Sequence, residues 1–214
     1  MLKVQILPVT AFQQNCTLMV CTATNTAALT DPGGDLDAVH DLIKQSGATL
    51  SKIFLTHGHL DHCAAARVLA DHYGVPIEGP HIEDKFWIDQ LESHSAKYGF
   101  QNWGVFTPDR WLAHGDTVTL GEHTLDVYHC PGHTPGHVVF VDATERLAWV
   151  GDVIFAGSIG RTDFPRGNHD DLIHSIKTHL FPLGDDITFI PGHGPTSTFG
   201  QERATNPYVS ARWG

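Results

Sequence analysis

Four clusters of histidine and aspartate, each placed just beyond a run of apolar residues, constrain the fold of this chain more than any other feature. The first, Thr56-His57-Gly58-His59-Leu60-Asp61-His62, leaves an apolar strand expected over 52–56 and runs into a helix expected over 62–73, with Asp61 as its cap. The others are His133 in Cys130-Pro131-Gly132-His133-Thr134-Pro135-Gly136-His137, Asp152 in Gly151-Asp152, and His193 in Ile190-Pro191-Gly192-His193-Gly194. Strand ends that share a sheet edge meet in space, and the glycines beside each cluster let the backbone come close to an ion without crowding. The fold must bring several strand ends to one edge.

The residue types at that edge point to metal. Histidines number 16, more than the 13 lysines and arginines together, an excess that suits ligation. His57, His59, His62, His133 and His193, with Asp61 and Asp152, supply imidazoles and carboxylates in a proportion too nitrogen-rich for Ca²⁺ or Mg²⁺. Zn²⁺ or another borderline divalent ion is the expected metal, and the absence of a thiolate at the Asp152 position leaves iron or manganese open. So many donors exceed what one tetrahedral ion takes, but fit two divalent metal ions if one carboxylate bridges them. A structural zinc module would be closed and four-coordinate, whereas two ions sharing these ligands keep positions for water and substrate.

Composition narrows the remaining choices. A formal charge of −11 gives no global phosphate-neutralising surface, so nucleic acid is not an expected partner. No apolar run is long enough to span a membrane, and the N-terminus lacks a signal-peptide core, so no membrane partner and a cytoplasmic location are expected. Cys16, Cys21, Cys63 and Cys130 form no CxxC pair and are read as reduced, buried thiols. A length of 214 residues suits a single domain over 1–214.

Short apolar segments at 4–9, 16–21 and 27–29 read as strands, followed by helices at 35–46, 62–73 and 84–98 with strands at 52–56 and 75–78 between them. Strands at 117–120, 124–129, 137–142 and 147–150 precede a helix at 170–181 and a buried strand at 186–190. Two β-rich halves, each with its own helices, form an α/β layered sandwich.

From Asp31-Pro32-Gly33-Gly34 through the four clusters, the chain resembles the metallo-β-lactamase superfamily, and within it the short bacterial type of hydroxyacylglutathione hydrolase, or glyoxalase II. The resemblance implies an αββα sandwich without the separate C-terminal helical domain of the longer enzymes. It implies that His57, His59 and His133 hold one metal, that Asp61, His62 and His193 hold the other, and that Asp152 bridges. A metal-bound hydroxide would cleave S-2-hydroxyacylglutathione, with S-lactoylglutathione giving glutathione and D-lactate in methylglyoxal detoxification. Asp61 would be catalytic as well as a ligand, accepting a hydrogen bond from the nucleophile, and Asp31 would support ligand orientation from behind.

His137, Arg161 and His129 lie outside these ligand sets. His137 is separated from His133 by Pro135 and Gly136, which forbid a regular helix, so it either supports the site or opens a strand. Arg161, in Gly160-Arg161-Thr162-Asp163-Phe164, matches a loop in which glyoxalase II carries a substrate-holding lysine; here it either receives the anionic glutathione thioester or forms a surface ion pair. His129 is read as structural, and the remaining histidines, His81 and His179 among them, as surface residues. The same loop also resembles the persulfide dioxygenases, whose single iron would map onto His57, His133 and Asp152. The retained Pro-Gly-His-Gly at His193 favours the hydrolase.

Overall fold

The structure, a computed structural model, describes residues 1–210. Its first half is a five-stranded sheet of β1 (Leu2–Val9), β2 (Gln14–Cys21), β3 (Thr26–Thr30), β4 (Thr49–Phe54) and β5 (Ile77–Glu78), in that spatial order. The first three pair antiparallel through short turns. The next two join in parallel, because α1 (Leu36–Ser46) and then α2 (Leu60–Cys63) with α3 (Ala66–Tyr73) carry the chain back between them.

After α4 (Lys85–Ile88) and α5 (Leu91–Tyr98), the chain forms β6 (Thr117–Leu120), β7 (His123–His129), β8 (Val138–Asp142) and β9 (Leu147–Gly151). A hairpin of β10 (Ile154–Phe155) and β11 (Ser158–Ile159) leads to α6 (His169–Ser175), β12 (Thr188–Pro191), β13 (Ser197–Thr198) and α7 (Phe199–Thr205). The second sheet has the order β13-β12-β9-β8-β7-β6, with β12 parallel to β9.

Strand alternation divides the interior into three cores. Leu18, Leu29 and Ile53 point outward from the first sheet onto the early helices, whereas their neighbours Met19, Ala28 and Phe54 point inward. In the second sheet Val138, Phe140, Trp149 and Ile190 meet that inner layer, and Val139, Val141, Val150 and Phe189 pack against α6 and α7. Period-two burial on both faces of both sheets yields the expected layering of helices, sheet, sheet and helices.

The helices depart from expectation in identifiable ways. α2 begins at Leu60 with His59 at its cap position, so Asp61 lies in the first turn instead of capping. The expected helix over 62–73 breaks at residues 64–65, where the Ala65 N–H bonds Pro32 O at 3.1 Å instead of continuing the ladder. The Pro32-Gly33 turn lies so close that a Cβ on Gly33 would fall 1.6 Å from the Asp61 carbonyl oxygen. The helix expected over 84–98 becomes a 3₁₀ turn at Ile82–Asp84 followed by α4 and α5. α6 is capped by the Asn168 side chain, which accepts from the Asp170 and Asp171 N–H groups, and it passes through a π-helical turn at Ile176–Leu180. The closing α7 was not anticipated: its buried Glu202 accepts from Ser197 Oγ, Gly157 N–H and Asn206 Nδ2, anchoring the segment. All four cysteines are free and buried, and no helix among the described residues is long and apolar enough to cross a membrane.

Candidate metal centre

Strand ends deliver the predicted donors. β4 runs through Leu55 to Thr56 and His57, and the same turn carries His59, Asp61 and His62 into α2. The connection from β7 to β8 carries His133, the residue after β9 is Asp152, and His193 lies two residues beyond β12. The sheets are tied together at this edge by Asn15, whose Nδ2 donates to Pro191 O at 3.0 Å and Gly194 O at 2.9 Å.

All seven metal-binding candidates meet here, in two groups. His57, His59 and His133 bring ligand atoms within 4.8 Å of one another, and so do Asp61, His62 and His193. Asp152 lies between: its Oδ2 is 3.5 Å from His133 Nε2 and 3.6 Å from His193 Nε2, and its Oδ1 is 3.4 Å from His62 Nε2. A Cβ on Gly192 would fall 2.1 Å from Asp152 Oδ1 and 2.6 Å from His62 Cε1. That glycine therefore makes room for two donor side chains, a different use from the close backbone approach to an ion expected from the sequence.

Outer hydrogen bonds orient the donors. Asp31, with its backbone at φ 52°, accepts from Thr56 N–H at 2.7 Å, Thr56 Oγ1 at 2.6 Å and His62 Nδ1 at 3.0 Å. The Thr56 hydroxyl, spending its proton on Asp31, accepts from His57 Nδ1 at 3.0 Å. One carboxylate thus reaches an imidazole of each group. His133 Nδ1 donates to Arg161 O at 2.8 Å, and His193 Nδ1 donates to Phe12 O at 3.1 Å. Each such bond commits one ring nitrogen as donor and turns the Nε2 lone pair inward. His137 both precedes β8 and supports the centre: its Nε2 accepts the Asp152 N–H at 3.0 Å, and its ring stacks on His57 at 4.6 Å.

The electrostatics divide the two groups. Burial drives His57, His59 and His133 below the ordinary histidine range, with their neighbouring imidazoles adding to the effect on His57 and His59. These rings are neutral at physiological pH and offer lone pairs. Burial acts the same way on His62, but the Asp152 and Asp61 carboxylates overcome it and push the group up. His193 follows, its burial outweighed by Asp61 and Asp152. Burial alone would raise Asp152, yet His62, His133 and His193 hold it below the usual carboxylate range.

These residues fit divalent metal. The Nε2 atoms of His57 and His133 lie 3.2 and 3.0 Å from His59 Nδ1, an approach that one proton cannot satisfy for all three and a cation can. His62 Nε2 and Asp152 Oδ1 are buried without a hydrogen-bond partner, a costly state for polar atoms that metal ligation relieves. The His193 side chain is 30% exposed and opens the second group to solvent. Phe155 stands 6.3 Å from His193 and Phe164 5.0 Å from His59, walling the opening with aromatic surface.

Arg161 does not present a free cation. Its guanidinium makes two 2.7 Å bonds to Asp163 and lies over the Phe164 ring at 4.3 Å, while its carbonyl orients His133.

Sequence reasoning missed Asp84 altogether. This carboxylate is wholly buried and accepts from Gly58 N–H at 2.7 Å, Thr134 Oγ1 at 2.8 Å and Gly136 N–H at 2.5 Å, clamping together the loops that carry His57, His59 and His133. Burial pushes its carboxyl up to about 6, against three donors that favour the charged form. The native state therefore binds this proton more tightly than the unfolded chain does, and the stability it contributes is present at about pH 4 and lost as pH rises through 6. Asp84→Ala strands two backbone N–H groups, so urea unfolding should show a loss of about 2–3 kcal/mol. Metal affinity at the His57 group should weaken on the order of 10- to 100-fold in a chelator competition assay.

Paired His and Asp clusters at the edge of an αββα sandwich define a metallo-hydrolase. The sequence pattern of the Metallo-beta-lactamase superfamily matches residues 9–193, and the chain belongs to that superfamily. It is 44% identical over 212 residues to the hydroxyacylglutathione hydrolase GloC of Haemophilus influenzae, covering 99% of this chain and 100% of the relative. Among solved structures it is similar to the B3 metallo-beta-lactamase BLEG-1, with a TM-score of 0.88 and 32% identity over 98% of this chain and 100% of that one. It is also similar to TTHA1623, solved in a di-iron-bound form, with a TM-score of 0.87 and 31% identity over 96% of this chain and 100% of that one.

Proposed function

We propose that this chain is a binuclear metal-dependent hydrolase that cleaves the thioester of S-2-hydroxyacylglutathione, converting S-lactoylglutathione to glutathione and D-lactate in the cytoplasm. The observation that carries the reading is the position of Asp152 between two complete three-residue groups. The near full-length relation to a hydroxyacylglutathione hydrolase supports the substrate class, and the di-iron form of a 31%-identical structure supports two ions.

In this reading His57, His59 and His133 hold one ion, Asp61, His62 and His193 the other, and Asp152 both, with zinc favoured by the donor set. Bound divalent ions supply Lewis acidity and bring the pKa of water down to about 7. The chain's residues do the rest. Asp61, whose Oδ2 lies 3.2 Å from His193 Nε2, would accept a hydrogen bond from the attacking water and so aim its lone pair at the thioester carbonyl. Asp31 and His137 keep the surrounding donors in register through His62, Thr56 and the Asp152 N–H. The departing thiolate is a good leaving group and needs no dedicated general acid. Phe155 and Phe164 limit water at the opening. A one-iron reading on His57, His133 and Asp152 leaves the whole Asp61, His62 and His193 group without a task.

The test is the loss of thioester absorbance from S-lactoylglutathione by the purified protein. Turnover that stops on chelation and returns with Zn²⁺ is expected; no chelator-sensitive turnover would overturn the substrate assignment. Because Arg161 is exposed and already paired, Arg161→Ala should raise KM by no more than about fivefold and leave kcat unchanged in the same assay.

A further inference from the structure

The metal centre and its immediate support use His57, His59, His62, His133, His137 and His193, but the chain carries further imidazoles in a second concentration. His81, Glu83 and His129 bring one ligand atom each to within 4.8 Å of one another, beside the loop that bears His133, whose Pro135 and Gly136 carbonyls His129 and His81 bond. His81 was expected at the surface and His129 as a structural residue; the structure instead makes both half-buried and stacks their rings at 4.2 Å with an interplanar angle of 22°.

Local bonding prepares this trio for a cation. His129 Nε2 donates to Pro135 O at 2.8 Å, which leaves its Nδ1 as a bare lone pair. His81 is fixed through its backbone, whose N–H bonds Gly136 O at 3.0 Å, and the Glu83 N–H reaches its Nδ1 only at a long 3.4 Å. Burial and the neighbouring His129 lower His81, so the His81 imidazole is neutral and available at physiological pH. The exposed Glu83 carboxylate supplies the negative charge. Beyond His129 opens a cavity of about 200 Å³ lined in part by His114, His174, His179 and Asp171, which adds further imidazoles to the same face.

We propose that His81, Glu83 and His129 form a third divalent-cation site, for Zn²⁺ or a metal of like donor preference, with water completing the coordination. Two imidazoles and one carboxylate are a borderline-metal donor set, and the incomplete protein ligation makes the site weaker than the main centre. A cation here straps the turn at 81–84 to the end of β7, the two segments that hold Pro135 and Gly136 of the His133 loop.

The experiment is calorimetric titration of Zn²⁺ into the holoprotein, which already carries its main-centre metal, with metal analysis of the product. Wild type should take up one equivalent more than the His81→Ala variant, whatever the occupancy of the main centre. Glu83→Gln, at an exposed position whose side chain makes no hydrogen bond among the described residues, should fold normally and bind that equivalent at least about tenfold more weakly. The calorimetric readout follows metal uptake alone, so its result is read independently of the proposed substrate. Absence of a further equivalent in wild type would overturn the site. So would an equivalent bound equally tightly by both variants and lost instead in His174→Ala/His179→Ala, since that places the ion in the adjacent cavity.

Discussion

Asp152→Asn is expected to lower kcat/KM by about 1,000-fold or more, the equivalent of roughly 4 kcal/mol of transition-state stabilisation. The substitution keeps the shape but removes the carboxylate that lies between the two donor groups, with His133 and His193 near one oxygen and His62 near the other. Metal analysis should show loss of an ion from the centre together with the loss of rate, because three imidazoles then lack their shared anion. His62 should also lose its elevated proton affinity: without the Asp152 charge, its complete burial has less to oppose it. Full metal content with full turnover would contradict the bridging assignment.

The second large effect is expected at Asp31, on stability as well as activity. Asp31→Ala removes the acceptor of a buried Thr56 N–H, of the Thr56 hydroxyl and of His62 Nδ1 in one step. Leaving that backbone donor unpaired should cost about 3 kcal/mol in chemical denaturation, at the upper end for a buried polar group because a charged partner is lost. The position also sits at φ 52°, a left-handed conformation that aspartate and asparagine tolerate better than alanine. Asp31→Asn should therefore recover part of the stability but not the ion affinity. Without the carboxylate, both His62 and, through Thr56, His57 lose their orientation, and metal retention should fall on the order of 10- to 100-fold. Equal metal retention by wild type and Asp31→Ala would show that the donors hold their positions unaided.

The donor clusters and the layered fold were legible in sequence for a common reason. Both depend on short-range pattern: apolar alternation marks the strands, and each cluster follows a strand end within a few residues. Asp31 was legible only through family resemblance, since its partners Thr56 and His62 lie 25 and 31 residues away. Asp84 was illegible because its partners Gly58, Thr134 and Gly136 are 26, 50 and 52 residues distant, and nothing in the local sequence distinguishes it from a helix-starting aspartate. The break in the helix after Asp61 has the same origin, a tertiary contact from the Pro32-Gly33 turn. Arg161 carries two readings in sequence, an anion receptor or a surface ion pair, because its loop position suits both; the structure shows the ion pair, with Asp163 only two residues on.

Reconstitution tests most directly whether two ions act together. Metal-free protein titrated with Zn²⁺ should regain S-lactoylglutathione hydrolysis until two equivalents are bound, with any later binding at the His81 trio leaving the rate unchanged. A rate that is complete at one equivalent, or activity that instead requires iron and consumes oxygen with glutathione persulfide, would contradict the two-ion reading.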